Sequence, residues 1–317
     1  MTVTVLAGGV GAARLLAGLV QVVPAERVTA VVNTGDDVVL HGLHVSPDLD
    51  TVTYTLAGAI DPVNGWGLAG ESWAAMEALE RYRPVAPLGS AAAVTWFRLG
   101  DRDLATHLYR TARLAEGGHL SQVTAEITAA WGLGVRLLPM TDDRVETRVT
   151  VEEGEIGFQE WFVQRRHSVP VRSLRFAGAE SARPGHDVLP AIAAADTVVI
   201  APSNPLVSIG PILAVPGMRE AVSHRRDRTV AVSPIVAGKA LKGPADRLLE
   251  EQGHESSVVG VARLYADVAS VLVVDEQDAG LSSAVEDAGL RCVVAPTVMI
   301  GPKEAAALAD VVLGVFG

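Results

Sequence analysis

Only one cysteine, Cys292, stands in this 317-residue chain. It cannot close an intramolecular disulfide, and a thiolate-rich zinc or iron–sulfur site is excluded by the same count, which points to a reducing cytoplasm. Long hydrophobic runs are also missing: no stretch reaches the roughly 18 uninterrupted apolar residues of a membrane-spanning helix. The opening Met1-Thr2-Val3-Thr4-Val5-Leu6 lacks a basic n-region, so neither a membrane nor export is expected. Basic residues are outnumbered, with Lys+Arg 26 against Asp+Glu 37 and a net charge of −11. That balance repels phosphate backbones and anionic membrane surfaces, and it argues against non-specific binding of nucleic acid. Aromatics make up only 4%, which makes each tryptophan worth a question. Internal repeats and low-complexity linkers are absent as well.

What remains is apolar and glycine-rich. Hydrophobic residues at 49% and charged residues at 20% suffice for a folded core. The length suits one α/β core carrying an insertion. Thr2–Ala7 and Val28–Val32 are continuous β-branched runs separated by a helical pattern. Thr197–Ile200, Thr229–Val232, Val271–Val274 and Cys292–Val294 repeat the theme in the C-terminal half. Unbroken apolar strands alternating with helices predict a doubly wound, mostly parallel sheet of about six strands, a Rossmann-like three-layer α/β fold. Residues 1–40 and 190–317 would form this core. Residues 41–189 would add a helical lobe and a small β element. Glu71–Tyr82, Asp103–Ala115 and Ser121–Ala130 have helical periodicity, with Asp101, Arg102-Asp103 and Ser121 as N-cap candidates. Arg144–Val151 alternates and leads into Phe158–Val163 and Val169–Phe176, which predicts the β element.

In an open parallel sheet, ligands bind beyond the carboxyl ends of the strands. Four such ends carry unusual sequence. Ala7-Gly8-Gly9-Val10-Gly11-Ala12-Ala13-Arg14 has the glycines and the following helix of a phosphate loop, although Arg14 stands where a dinucleotide loop has its third glycine. Asn33-Thr34-Gly35-Asp36-Asp37 sets two carboxylates side by side, a costly arrangement unless a cation or donors offset it. With Ser46-Pro47-Asp48-Leu49-Asp50-Thr51, where Asp48 is placed to cap a helix and Asp50 lies in its first turn, Asp36 and Asp50 suit Mg²⁺. Ala201-Pro202-Ser203-Asn204-Pro205-Leu206-Val207-Ser208 is a stiff turn presenting hydroxyl and amide groups. Ser233-Pro234 through Gly238-Lys239 and Lys242 brings cations into an acidic chain, where solvated lysines are the plainer alternative. Trp66, flanked by glycines, and Trp96, close to Arg98, offer faces to a flat ligand. Trp73 reads as core, and His107 as a helix-face residue, since no second histidine stands at metal-binding spacing.

Taken in order, Gly8-Gly9-Val10-Gly11, Asn33-Thr34-Gly35-Asp36-Asp37, Pro47-Asp48-Leu49-Asp50-Thr51, Leu99-Gly100-Asp101-Arg102-Asp103-Leu104-Ala105-Thr106-His107, Ala201-Pro202-Ser203-Asn204-Pro205 and Ser233-Pro234 with Gly238-Lys239 resemble the 2-phospho-L-lactate/phosphoenolpyruvate transferase family of coenzyme F420 biosynthesis. The resemblance spans nearly the whole chain. It implies transfer of a phosphoenolpyruvyl or 2-phospho-L-lactyl group from a guanylyl-activated donor to the deazaflavin Fo, releasing GMP, with Mg²⁺ and in a homodimer. It also implies that Gly8, Gly9, Val10, Gly11, Asn33, Thr34, Ser203, Asn204, Pro205, Ser208 and Lys239 face the nucleotide donor. Asp50, Trp66, Trp96 and Arg98 would face Fo, and Asp36 and Asp50 would be the metal-holding, catalytic pair. Two alternatives stay open: a nucleotide-sugar-binding regulatory protein of the gluconeogenesis-factor type, and an NAD-dependent oxidoreductase. Against the latter stand the missing third glycine and the Asp36-Asp37 pair.

Overall fold

Seven parallel strands form the centre of the computed structural model, which describes all of residues 1–317 apart from the side chain of Ala93. They are β1 (Val3–Ala7), β2 (Val28–Val32), β3 (Arg136–Pro139), β4 (Thr197–Ile200), β5 (Thr229–Val232), β6 (Val271–Val274) and β7 (Arg291–Val294). Every residue of β1, β4, β5 and β6 is buried. The unbroken apolar runs are therefore explained by helices covering both faces of the sheet. The strand order is β3-β2-β1-β4-β5-β6-β7, with parallel register throughout. Chain direction reverses its progress across the sheet between β1 and β4, and such a switch point opens a crevice at the strand ends.

The expected sheet had about six strands. The seventh, β3, comes from the stretch read as insertion. Arg136-Leu137-Leu138-Pro139 is short and ends in proline; an edge position tolerates that proline because its missing N–H faces no partner strand. Two apolar clusters fill the faces of the sheet, one centred on Leu6, Val198, Ile200 and Leu272, the other on Val5, Leu16, Val199 and Val230. On the second face α1 (Gly9–Val22) packs against the C-terminal helix Pro302–Gly314. Their approach is close enough that a Cβ on Gly18 would stand 2.2 Å from the Ala305 carbonyl oxygen.

Strand β2 runs into the Asn33–Asp37 turn, then into a hairpin of Val38–Leu40 and Leu43–Val45 that the sequence reading did not foresee. Its turn places His41 and Gly42 at positive φ, the geometry that matches a hairpin's twist. Helices α2 (Pro47–Leu56), α3 (Asp103–Ala115) and α4 (Leu120–Ala130) follow. The segment Glu71–Tyr82 is less regular than its periodicity predicts, with an α-helix only over Ala74–Leu79 and a 3₁₀ turn beyond.

The caps also differ from expectation. Asp101 accepts from the Ala74 and Ala75 amides (2.8 and 2.9 Å). Glu71 accepts from the Arg102 and Asp103 amides (2.9 and 2.8 Å). Each acid thus caps the other's helix, and Gly100 is required because a Cβ there would lie 2.2 Å from Glu71 Cδ. Ser121 does not cap α4 but bonds through its amide and hydroxyl to Asp142.

The small β element is a three-stranded antiparallel sheet with Glu146–Val151 between Gly154–Gly157 and Ser173–Ala177. Phe158–Val163 does not extend it. Glu160–Gln164 turns helical instead, which lets Phe158, Trp161 and Phe162 cluster and the Trp161 indole N–H donate to the Val169 carbonyl at 2.9 Å.

Candidate active site

The crevice begins where β1 ends. Gly8 precedes α1 in extended backbone, and Gly9 starts the helix at φ +71°. A Cβ on Gly8 would lie 2.8 Å from both Asp48 Oδ2 and Ser208 Cβ, and one on Gly11 would lie 2.3 Å from the Pro202 carbonyl oxygen. Those glycines let α1 sit between the first turn of α2 and the stiff turn after β4. The Ser203 hydroxyl ties that turn down by donating to the Gly8 carbonyl at 2.8 Å. Asn204 accepts from the Leu206 amide at 2.9 Å and thereby caps the helical turn Pro205–Ile209. Pro205 and Ser208 are buried within it. The side-chain oxygens of Ser203 and Asn204 are thus engaged in shaping the loop.

Asp48 does not cap its own helix. Its carboxylate accepts from the Gly9 amide at 2.8 Å and from Asn33 Nδ2 at 3.0 Å, so it occupies the positive N-terminal end of α1. Asn33 in turn accepts from the Gly35 amide at 2.8 Å. The small sheet braces this turn from outside: Thr147 donates its amide to the Gly35 carbonyl at 2.7 Å, and Gln159 Nε2 reaches the Asp36 carbonyl at 3.1 Å.

Around the turn, charge is left uncompensated. Asp36 and Asp48 are 8% and 7% exposed. Burial, then repulsion from Asp48 and Asp37, drives the Asp36 carboxyl well above the ordinary carboxylate range. Burial does the same to Asp37, against the Ser46 hydroxyl that donates to it at 2.7 Å and the nearby Arg110 guanidinium. Burial also pushes Asp48 up to about 6, against the pull of Asn33 and the Gly9 amide. Thr34 Oγ1, Asp36 Oδ1, Asp37 Oδ1 and Thr147 Oγ1 are buried without a well-formed hydrogen bond among the described residues, although Thr147 and Asn33 stand close enough to Asp36 to draw its carboxyl down. These four oxygens, two of them on Asp36 and Asp37 themselves, are an arrangement that a bound ion or ligand would satisfy. Among the described residues no three His, Cys, Asp or Glu side chains are grouped as ligands of one ion. Mg²⁺ commonly takes one or two carboxylates and completes its shell with water and phosphate, so the donor set fits that cation.

Asp50, two residues further on in the same first turn of α2, has a different environment. Arg110 grips both its oxygens, and His107 Nδ1 lies 3.7 Å away. Neither partner was anticipated from the sequence: Arg110 lies outside every motif, and His107 was read as a helix-face residue, whereas it is 1% exposed between two acids.

The cations and aromatics are distributed unevenly. Lys239 is exposed and pairs with Asp246 at 3.4 Å. Lys242 instead donates to the Asn64 carbonyl at 3.3 Å, and its Nζ would be 2.8 Å from a Cβ on Gly65, a glycine that also borders Val10. Burial and the nearby Arg14 pull the Lys242 ammonium below its usual range. Lys242 therefore lies against the Asn64–Gly65 turn that borders Val10, and its presence in the Gly238–Lys242 motif is the available signal. Arg98 lies over the Trp73 ring, 4.7 Å from its centre, and 3.9 Å from Glu77. Trp73 is half-buried rather than core. Trp96 meets Phe97 edge-on and Trp66 is 48% exposed. A cavity of about 950 Å³ lies elsewhere, between α4, β3 and residues 183–187, and none of the acids, cations or tryptophans of the crevice line it.

The model of the family described as "2-phospho-L-lactate transferase CofD" matches residues 3–294. A phosphoenolpyruvate transferase of Streptomyces griseus subsp. griseus is 48% identical over 314 residues, covering 98% of this chain and 96% of its own. One from Nocardia farcinica is 42% identical over 322 residues, covering 99% and 95%. One from Mycobacterium tuberculosis is 46% identical over 284 residues, covering 84% and 83%. Among solved structures, a UPF0052-family protein of Bacillus halodurans superposes with TM-score 0.62 at 15% identity, covering 98% of both chains, which is a likeness of fold. Among the described residues no helix is long and apolar enough to cross a membrane.

Proposed function

The chain belongs to the 2-phospho-L-lactate transferase CofD family, and on that premise we propose that it transfers a phosphoenolpyruvyl group from enolpyruvyl-diphospho-5′-guanosine to the deazaflavin Fo, giving dehydro-F420-0 and GMP. The phosphoenolpyruvyl donor is favoured over the phospholactyl one because relatives 42–48% identical over most of the chain are phosphoenolpyruvate transferases. The observation that carries the site is the group of orphaned oxygens on Thr34, Asp36, Asp37 and Thr147 beside buried Asp48, at the switch point of the sheet. The protein would act in the cytoplasm, as a homodimer.

The reaction breaks the bond between the GMP phosphate and the phosphorus bearing the three-carbon acid. The terminal ribityl hydroxyl of Fo forms the new P–O bond, and its proton passes to Asp50 or a neighbouring water. Chemistry of this kind is mostly positioning and charge neutralisation, which suits a site with no nucleophilic triad. Mg²⁺, held by Asp36 with Asp50, would offset the negative charge of the donor diphosphate. Arg110 meets both oxygens of Asp50, yet a carboxylate has about four lone-pair sites and keeps capacity for a second partner. The amides of Val10 and Gly11 and the ammonium of Lys242 would face the donor, those of Gly8 and Gly9 being taken by Ser203 and Asp48. The aromatic groups Trp66 and Trp96, with Arg98, would border the Fo ring.

The test is direct. The protein is mixed with Mg²⁺, Fo and either guanylyl-activated donor, and the deazaflavin product is weighed by mass spectrometry. The dehydro product from the enolpyruvyl donor is expected; product from the lactyl donor alone reverses the donor assignment, and no product from either overturns the transferase reading.

A further inference from the structure

The Asp50 end of the site is held by a chain of buried side chains. Asp103, His107 and Arg110 lie on one face of α3, spaced by four and three residues. Arg110 is 2% exposed. Its Nη2 meets Asp50 Oδ1, its Nη1 lies 3.2 Å from Oδ2, and the same Nη1 reaches the His44 carbonyl at 3.3 Å. His107 stands between the two acids, with Nδ1 3.7 Å from Asp50 and Nε2 3.3 Å from Asp103. Asp103 accepts the hydroxyl proton of Tyr54, whose oxygen accepts in turn from the Thr106 hydroxyl at 2.8 Å. Tyr54 and Asp50 lie one turn apart on α2, so the chain leaves α2, crosses α3 and returns.

Two ions removed from water gain little net stability from each other, and well-packed apolar residues would join two helices at least as well. A bidentate guanidinium offers something apolar packing does not, a carboxylate kept charged in one fixed orientation. We propose that Arg110, steadied by His107 and Asp103, is a positioning residue for the transfer: it fixes the Asp50 carboxylate so that its remaining lone pairs serve the acceptor hydroxyl and the cation. The inference rests on the proposed transferase reading for its kinetic part, and on the chain's own geometry for the rest.

Arg110→Lys keeps the charge and removes the fork. With folding checked by circular dichroism and the melting temperature, kcat is expected to fall about 100-fold, the loss typical of a reacting group displaced by about 1 Å. At saturating Mg²⁺ the KM for the guanylyl donor stays within about 2-fold, because that end of the site is built from α1 and the turn after β4. Mn²⁺ binding, read by electron paramagnetic resonance without substrate, weakens about 10-fold. His107→Gln gives the same pattern at smaller size, and it decides the matter where Arg110→Lys fails to fold. A lowered melting temperature with wild-type kcat and wild-type Mn²⁺ affinity would show Arg110 to be a helix staple only and overturn the proposal. If the wild-type protein makes no product, the transferase reading fails by itself, and the Mn²⁺ measurement still decides for or against Arg110.

Discussion

Asp48 and Asp50 lie two residues apart in the first turn of α2, are both buried, and have opposite surroundings. Asp48 faces the N-terminal end of α1 beside Asp36, with backbone and amide donors and no arginine, and Asp37 lies between this pair and Asp50, acted on by Asp48 and by Arg110. Asp50 faces the side chains of α3 and is gripped by Arg110. A fold that grips one carboxylate with an arginine, shares that arginine's field with Asp37 and leaves Asp36 and Asp48 with none has placed its cations selectively. The uncompensated side is where negative charge is still unmatched by a ligand's positive charge, and the compensated side is where Asp50 is held in one orientation to share that charge. Each experiment below separates the two sides or erases the distinction.

The largest effect is expected at Asp36. Asp36→Asn removes one charge from the repelling group while keeping its shape, so the fold should hold and the Mg²⁺-free protein should melt no lower than wild type. Turnover should fall by about three orders of magnitude, the range seen when a group stabilising transition-state charge is lost. Steady-state kinetics with Fo and the enolpyruvyl donor reads this out. A kcat near the wild-type value would mean that the orphaned oxygens do not mark the reacting centre.

A second test compares the sides through pH. The Asp48 carboxyl is raised from 3.8 to about 6, and Asp36 and Asp37 move the same way. A raised folded-state value means that the group's stabilising contribution is whole below the unfolded value and is lost as pH climbs through the folded one. For Asp48 the loss between about pH 4 and pH 7 is about 3 kcal/mol. A cation that binds the deprotonated cluster offsets this loss. The rise in melting temperature on adding Mg²⁺ should therefore be larger at about pH 7.5 than at about pH 5. Equal shifts at both pH values would place the cation away from these acids.

Much of the frame was legible because strand burial leaves a direct trace. Thr197–Ile200, Thr229–Val232 and Val271–Val274 are strands over their full expected lengths, and Asp103–Ala115 is the expected helix. The edge strand Arg136–Pro139 left no such trace, since four residues ending in proline carry no periodicity. The site was legible where chemistry is local, as in Asn33–Asp37, and illegible where it depends on which helix face meets which. Asp48 looked like a cap because capping is a local rule, and nothing in the sequence says that the Gly9 amide lies opposite. Arg110 carries no motif at all; only the packing of α3 against α2 gives it Asp50. The reciprocal caps of Glu71 and Asp101 show the same limit, for the acid that caps each helix comes from about thirty residues away.

The smallest effect concerns the two lysines, and it asks whether the uncompensated side extends to the donor's phosphates. Lys239 and Lys242 are three residues apart, and sequence alone treats them alike. Lys239 is solvent-exposed and already paired with Asp246, a surface arrangement of little energetic weight. Lys242 is partly desolvated beside Arg14 and the Val10–Gly65 contact, with a carbonyl for a partner rather than an acid. An anion reaching the Gly8–Gly11 loop would meet Lys242 first. Lys242→Ala should raise the KM for the guanylyl donor about 10-fold with kcat nearly unchanged, as for the loss of one charged contact to phosphate worth about 1.4 kcal/mol. Lys239→Ala should change it less than about 2-fold. If the two variants exchange these roles, the donor lies across the hairpin of Ile235–Val236 and Lys239–Ala240 instead, and the cation cluster by Arg14 loses its link to the reaction.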